Sequence, residues 1–151
     1  MSNGELDLHR LLATLHPKLR DGEFVFVTFP RADDKLQSAI GACMRDAVGT
    51  FMEEEGFTMI VPADCGALPA DIPRSGPQRM VTLECHSSLE AVGLTYRVSE
   101  RLASLSISCN VVAAYYHDHL FISADKAAAA VHALRALQAE AEAEAQRACA
   151  G

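Results

Sequence analysis

Two stretches of the chain share one layout: Thr50 to Asp64 (TFMEEEGFTMIVPAD) and Val111 to Asp125 (VVAAYYHDHLFISAD). Each is an extended run, a polar turn, a second extended run and then Ala-Asp, at a constant offset of 61 residues. A strand-like segment and helix-competent sequence precede each stretch, starting from Phe24 to Phe29 in the first half and from Met80 to His86 in the second. This repeated pattern predicts a βαββα unit that occurs twice.

Composition and charge limit the class of protein. The 151 residues are 50% hydrophobic and 22% charged, which is typical of a globular protein with a real core. A net charge of −7 disfavours nucleic acid and anionic membranes as partners. No apolar run approaches the roughly 18 to 20 residues that span a bilayer, and the N-terminus lacks a secretory signal pattern. We expect a cytoplasmic protein.

The five cysteines form no metal-ligand or CxxC pattern. Cys85 and Cys109 lie in predicted strands, where a free thiol normally behaves as a small buried hydrophobe. We interpret them in this way rather than as reactive groups.

The spacing of apolar residues predicts four helices: Glu5 to Leu15, Asp33 to Ala47, Ser88 to Ser104, and a last helix that Asp125 caps. Residues 62–78 contain four prolines and two glycines and are the candidate linker. The Ala/Glu-rich tail favours a solvated helix end.

The segment from Cys85 to Glu90 (CHSSLE) is the most informative local feature. Ser87 and Glu90 have the spacing of a capping box, which predicts that a helix starts here. A helix start at the end of a strand presents free N–H groups, which suit a carboxylate or phosphate. The competing interpretation is a capped helix without a ligand.

The predicted helix carries apolar residues on two faces of its N-terminal half. One stripe must face the sheet, and a second set consists of Leu89, Val92, Gly93 and Tyr96. A second apolar face needs a second surface to bury against. We expect these four residues to form an interface, most simply in a homodimer.

The run Tyr115 to Asp118 followed by His119 (YYHDH) admits a metal site or an ordinary polar turn. The residues surround the predicted hairpin turn, and no third ligand follows at a diagnostic spacing, so the turn is favoured. No familiar catalytic or nucleotide-binding motif occurs. The sequence thus predicts no metal, no cofactor and no catalytic residue.

The stretch from His86 to Asp125 (HSSLEAVGLTYRVSERLASLSISCNVVAAYYHDHLFISAD) resembles the ACT domain, a regulatory module of amino-acid-sensing enzymes. Both halves together resemble small bacterial tandem-ACT proteins of uncharacterised function, and the C-terminal half is similar to a repeat of the animal cytosolic arginine sensors. The resemblance implies an α+β, ferredoxin-like fold of tandem repeats, with antiparallel sheets and helices on one face.

This arrangement implies three parts: a first ACT-like unit with the N-terminal helix (residues 1–72), a second unit (79–140) and a solvated helical tail (141–151). No fourth strand follows the last helix. Either the N-terminal helix and strand supply it, or the second unit is truncated.

The resemblance also suggests a binding site. The ligand loop of the family falls on His86, Ser87, Ser88, Leu89 and Glu90, and the start of its second strand brings in Ser108 and Asn110. The chain departs from the family where Ser87-Ser88 replaces the usual Pro-Gly and Ser108 replaces an Asn.

We therefore expect a non-catalytic regulatory protein that binds a small molecule, an amino acid or related metabolite, at an interface between repeats or protomers. One alternative is a ligand-free dimerisation or assembly module. Another is a small enzyme, for which His86, His117 and His119 are the candidates.

Overall fold

The computed structural model describes residues 5–30, 36–88 and 90–149. The described helices are α1 (Leu8–Ala13), α2 (Gln37–Cys43), α3 (Leu94–Ala103) and α4 (Ala127–Cys149). The described strands are β1 (Pro17–Leu19), β2 (Phe24–Pro30), β3 (Gly49–Met52), β4 (Gly56–Pro62), β5 (Gln78–Leu83), β6 (Asn110–Ala113) and β7 (Asp118–Ser123).

The two repeated stretches form the two predicted hairpins. In the first, β3 pairs antiparallel with β4 from Gly49 opposite Ile60 to Met52 opposite Phe57. In the second, β6 pairs with β7 from Asn110 opposite Phe121 to Ala113 opposite Asp118. Four residues separate the two members of the last pair in each hairpin, and every pair of the second hairpin lies 61 residues after its counterpart in the first. The offset of the sequence is therefore preserved in the register of the strands.

The chain divides into two compact units. Residues 22–78 form one, here the central unit, and the residues up to Asp21 together with those from Arg79 onward form the other, here the terminal unit. The N-terminal helix was expected in the first repeat, but α1 belongs to the terminal unit. The reason is burial: Leu11, Leu12 and Leu15 lie in the same apolar core as Leu134 of α4.

The central unit has the strand order β3-β4-β2. Its core includes Val27, Phe29, Met59 and Val61, and Cys43 of α2 packs onto it. No helix occurs in residues 63–77, all of which the structure describes, so the first repeat lacks the final helix of the βαββα layout.

The candidate linker of the central unit is an ordered edge of its sheet. The N–H of Ser75 donates to the Phe26 carbonyl (2.8 Å), the N–H of Thr28 donates to the Pro73 carbonyl (3.3 Å), and the side chain of Ile72 is buried in the core. Prolines exclude a helix from this stretch but leave it able to follow a strand edge.

The terminal unit has the strand order β1-β5-β7-β6, with α1, α3 and α4 packed on one face. β1 pairs antiparallel with β5 from Pro17 opposite Leu83 to Leu19 opposite Val81. The N-terminal segment therefore supplies the fourth strand, which answers the question that the sequence left open. This is the ferredoxin-like arrangement.

Three helices are shorter than predicted. α3 begins at Leu94 rather than Ser88, α1 covers only Leu8–Ala13, and α2 ends at Cys43 rather than Ala47, while its predicted start at Asp33 lies outside the described residues. α4 continues to Cys149, so the described part of the tail is helical; its first residue, Ala141, is buried in the core, whereas residues 144–148 are exposed. No helix of the described residues is long and apolar enough to cross a membrane.

Candidate functional site

The loop between β5 and α3 is held by the N-terminal segment. Glu5 donates its N–H to the His86 carbonyl (2.9 Å), and Ser88 donates its N–H to the Glu5 carbonyl (3.1 Å). Ser87 and Glu5 form an isolated parallel bridge. The loop thus continues the edge of the sheet, and Ser87 and Ser88 are held half-buried.

The predicted capping box does not form, because the helix starts later. Glu90 donates its N–H to the Ser88 hydroxyl (3.2 Å) and Ala91 donates its N–H to the Ser88 carbonyl (3.0 Å), which makes a turn. Gly93 is the N-cap, with φ of 100°, a left-handed conformation that interrupts any helix arriving from Ser88. As a glycine, Gly93 has no side chain with which to cap the start of α3.

A small polar cavity lies at the start of α3. It has a volume of about 80 Å³ and is lined by residues of the loop, the helix start and the hairpin: Ser87, Ser88, Ala91, Leu94, Thr95, Ala113 and Asp118. The first N–H groups of an α-helix have no partner inside the helix. Leu94 and Thr95, the first two residues of α3, line the cavity, so we expect the first-turn N–H groups to be available to a group bound there.

Asp118 reaches the cavity through the pleat of β7. Side chains two apart on a strand share a face, and Leu120 and Ile122 of β7 are buried in the core beneath the helices. Asp118 ends the same row, directly opposite Ala113 of β6. Its carboxylate is therefore aimed at the helix side of the sheet, where α3 begins.

The Asp118 carboxylate is electrostatically unfavourable in its charged form. Desolvation by burial raises its pKa, and the nearby His117 opposes this only in part. The same negative charge contributes to the raised pKa of the Cys85 thiol, which burial and Asp118 bring to about 11. A cation in the cavity would relieve this cost.

The structure brings only part of the predicted site together. Ser87 and Ser88 line the cavity, whereas His86 and Glu90 are exposed loop residues. Ser108 and Asn110 are also exposed and do not line it, because Asn110 lies on the face of β6 opposite to that of Ala113. Leu89 lies outside the described residues.

Sequence reasoning missed Thr95 and Asp118. Thr95 was assigned to the middle of a longer helix, and Asp118 to a polar turn. A signal for Asp118 was present: it is the first member of the alternating set Asp118, Leu120, Ile122. A carboxylate in an otherwise apolar, core-facing row needs an explanation.

The predicted interface residues do not form a second helix face. Val92 precedes α3 and is 84% exposed, and Tyr96 is 63% exposed with its hydroxyl donating to Glu100 (2.7 Å). At Gly93 an added Cβ would stand 3.0 Å from Leu8 Cδ2, so the close approach that this glycine permits is to α1 of the same unit.

The histidines considered for catalysis have separate partners. Nδ1 of His117 lies 3.3 Å from the Cys85 carbonyl oxygen, and Nδ1 of His119 lies 3.0 Å from the Thr82 hydroxyl. Burial lowers the pKa of His119, with smaller contributions from His117 and Arg20. No group of three potential metal ligands occurs among the described residues.

A larger groove of about 610 Å³ lies between β1 and α4 of the terminal unit. It carries charges of both signs, including Lys18, Glu84, Arg135 and Glu142. Lys18 and Arg20 both pair with Glu84 at 3.3 Å. The charges of Lys18 and Glu84 are therefore already paired, and we take the smaller cavity, with its half-buried carboxylate, as the candidate site.

The fold places the chain in the class of α+β proteins that contain two such units. One unit has a complete four-stranded ferredoxin-like sheet with helices on one face. Family models described as ACT domain match residues 3–77 and 75–136. The chain belongs to the ACT-domain family and contains two such domains in tandem.

Several solved structures are similar. A Vibrio cholerae protein of unknown function, described as a possible transport protein, is 37% identical, covers 87% of this chain and 95% of its own, and has a TM-score of 0.71. An Agrobacterium tumefaciens protein (15% identity, 81% and 87% coverage, TM-score 0.63) shares the fold. The ligand-free regulatory subunit of aspartate kinase from Thermus thermophilus also shares the fold. It is 12% identical, covers 80% of this chain and 95% of its own, and has a TM-score of 0.60. Comparison with curated proteins gave no match.

Proposed function

We propose that the protein is a non-catalytic regulatory protein that binds a small free amino acid in the cavity at the start of α3. Membership of the ACT-domain family supports a regulatory ligand-binding role. The observation that carries the choice of ligand is the pairing of an uncapped helix start with the half-buried carboxylate of Asp118 in one cavity. These two features complement the two charges of a zwitterion.

The helix start receives the carboxylate of the ligand. Unpartnered N–H groups and the helix dipole both favour an anion at this position. Ser87, Ser88 and Thr95 line the same cavity, and a hydroxyl of this kind can donate to a carboxylate oxygen.

Asp118 receives the ammonium group of the ligand. Burial raises the pKa of Asp118, which disfavours its charged form and makes a counter-charge favourable there. An ammonium group both pairs with this carboxylate and donates hydrogen bonds to it, which is the stronger kind of hydrogen bond. A neutral or purely anionic metabolite would leave the carboxylate uncompensated.

The volume restricts the ligand to a small one. A cavity of about 150 Å³ is enough for one benzene ring, so the cavity of about 80 Å³ suits only a smaller group. This size favours the smallest amino acids and excludes large aromatic ones.

A thermal-shift panel of the twenty amino acids tests the proposal. A ligand that binds the folded protein raises the apparent stability by mass action, about 2.7 kcal/mol at a hundredfold excess over Kd. Small amino acids should raise the Tm, whereas their deaminated and decarboxylated analogues should not. If no amino acid at millimolar concentration shifts the Tm, the proposal is wrong.

Calorimetric titration of Asp118→Asn then tests the site. A lost hydrogen bond to a charged group costs about 1.5 to 3 kcal/mol, so the Kd should rise roughly tenfold to more than a hundredfold. Asp71, which is exposed in the central unit, provides the matched control Asp71→Asn, which should bind as wild type does.

The second candidate is an assembly module that dimerises without a ligand. The observation in its favour is the exposure of Val92 and Tyr96 beside the start of α3. Single exposed apolar side chains are common on monomers, so this reading needs a measured dimer. The two functions are compatible if the ligand changes the association equilibrium.

A further inference from the structure

Two cysteine thiols meet inside the central unit. The Sγ atoms of Cys43 and Cys65 lie 3.8 Å apart, and both residues are free thiols. Cys43 is the last residue of α2 and is fully buried, whereas Cys65 follows β4 and is half-buried. The pair therefore has one buried member and one that solvent can reach.

The backbone holds both residues in place. Cys65 donates its N–H to the Pro62 carbonyl (3.0 Å), and its own carbonyl accepts from Leu68 (3.1 Å). The Cys43 carbonyl accepts from Ala47 (3.1 Å) at the end of α2. The two sulfurs are thus brought together by ordered segments that are 22 residues apart in sequence.

The distance is short enough for a covalent bond to form locally. A disulfide has an S–S distance of about 2.05 Å, so the sulfurs need to approach by roughly 2 Å, shared between two side chains. Since Cys43 lies on a helix end and Cys65 in a turn, no strand of the sheet has to break.

We propose that Cys43 and Cys65 are a redox modification site that closes reversibly to a disulfide. With hydrogen peroxide as the oxidant, the Cys65 thiolate attacks the O–O bond and becomes a sulfenic acid, releasing one water after protonation. The sulfur of Cys43 then attacks the Cys65 sulfur and displaces the second water. Two thiols lose two electrons and two protons, and one peroxide is reduced to two waters.

Exposure assigns the order of the two steps. Cys65 can meet the oxidant, whereas Cys43 is shielded and acts as the resolving thiol. Burial raises the pKa of Cys43 to about 11, with contributions from the neighbouring Cys65 and Asp46. Because the thiolate is the nucleophile, closure should be slow at neutral pH and should accelerate as the pH rises toward this pKa.

Tryptic mapping of the full-length protein tests the proposal. Arg45 and Arg74 place Cys43 in the peptide of residues 36–45 and Cys65 in the peptide of residues 46–74, while the other cysteines fall in three further peptides. After treatment with peroxide, thiol blocking and digestion, these two peptides should be joined, with the loss of two hydrogens. Dithiothreitol should separate them and restore both thiols.

Single variants provide the controls. Cys65→Ser should prevent the link and protect Cys43 from oxidation, whereas Cys43→Ser should leave Cys65 as a sulfenic acid that a dimedone probe labels. The Cys85→Ser variant, whose change lies in the terminal unit, should form the Cys43–Cys65 disulfide as wild type does. The oxidised wild type should also melt at a Tm several degrees higher, because the link closes a 22-residue loop.

Three outcomes would overturn the proposal: both thiols stay free under peroxide, Cys65 proceeds to sulfinic acid without joining Cys43, or Cys65 links to a second copy of the chain. None of these results would affect the amino-acid site, which lies in the terminal unit and contains no sulfur.

Discussion

Gly93 sets the position of the candidate site. Its φ of 100° ends the preceding turn, so α3 begins at Leu94, and the first two residues of the helix line the cavity. An added Cβ would also lie 3.0 Å from Leu8 Cδ2. Backbone conformation and packing therefore both require glycine here.

We expect Gly93→Ala to destabilise the protein by about 1 to 3 kcal/mol, since a side chain is costly in the left-handed region. Gly41→Ala is the matched control: Gly41 lies in α2, where a Cβ meets nothing within 4 Å. Gly41→Ala should raise the free energy of unfolding by about 0.5 to 1 kcal/mol, because alanine has a higher helix propensity than glycine. Urea unfolding measures both, and equal effects of the two changes would contradict this account.

The charge of Asp118 should lower the stability of the protein at neutral pH. Its pKa in the folded protein is raised, so the folded state holds this proton more tightly than the unfolded state does. The resulting penalty is complete above the folded pKa and disappears as the pH falls below the unfolded value of about 3.9. We expect Asp118→Asn to be more stable than wild type at neutral pH, with the difference shrinking toward pH 4.

Thermal unfolding of both proteins between pH 4 and pH 8 checks this expectation, and Asp71→Asn serves as the exposed control. A variant that is less stable than wild type at neutral pH would show that the Asp118 charge is compensated in the free protein.

At the scale of elements, α1 and β1 complete the terminal unit. Leu12 is 2% exposed in the core of that unit, and deleting such a buried side chain costs about 2 to 5 kcal/mol. Leu12→Ala should therefore shift unfolding strongly, while Leu6→Ala, at 58% exposed, should change stability by less than about 0.5 kcal/mol.

The tyrosines offer a readout of this prediction. All three, Tyr96, Tyr115 and Tyr116, lie in the terminal unit, so tyrosine fluorescence follows its unfolding. A transition that Leu12→Ala leaves unchanged would mean that α1 contributes little to the stability of that unit.

The elements that sequence reasoning predicted correctly depend on local patterns. Both hairpins were predicted because their alternation and turns repeat at a fixed offset. The start of α3 was wrong because Ala91, Leu94 and Val98 keep helical spacing across Gly93, whose left-handed conformation leaves no mark on that spacing. The fourth strand was left open because β1 has only three residues.

The residues of the candidate site also fall into two groups: those that a local pattern predicts and those that only the fold brings in. Ser87 and Ser88 were predicted from the local passage between strand and helix. Asp118 could be added only once β7 was known to lie beside β5, since that neighbour relation joins residues far apart in sequence. The pairing of Cys43 with Cys65 is likewise a product of tertiary packing.

At the scale of the whole molecule, the remaining question is self-association. If the surface beside α3 forms a homodimer, a charge at Val92 should disrupt it. Val92→Lys should reduce the mass measured by light scattering to that of a monomer, without loss of stability because the side chain is 84% exposed. Val48→Lys, at an exposed position of the central unit, is the control. A monomeric wild type would end the assembly hypothesis.

The discontinuous terminal unit has a consequence for protein synthesis. The ribosome synthesises β1 well before its partner β5, because Leu19 precedes its partner Val81 by 62 residues. At about 5 to 20 residues per second, this delay is roughly 3 to 12 s. Meanwhile the apolar side of α1 has no partner, whereas residues 22–78 are contiguous and can fold as soon as they emerge. The central unit is therefore expected to fold before the terminal unit during synthesis, with α1 among the last of these elements to pack.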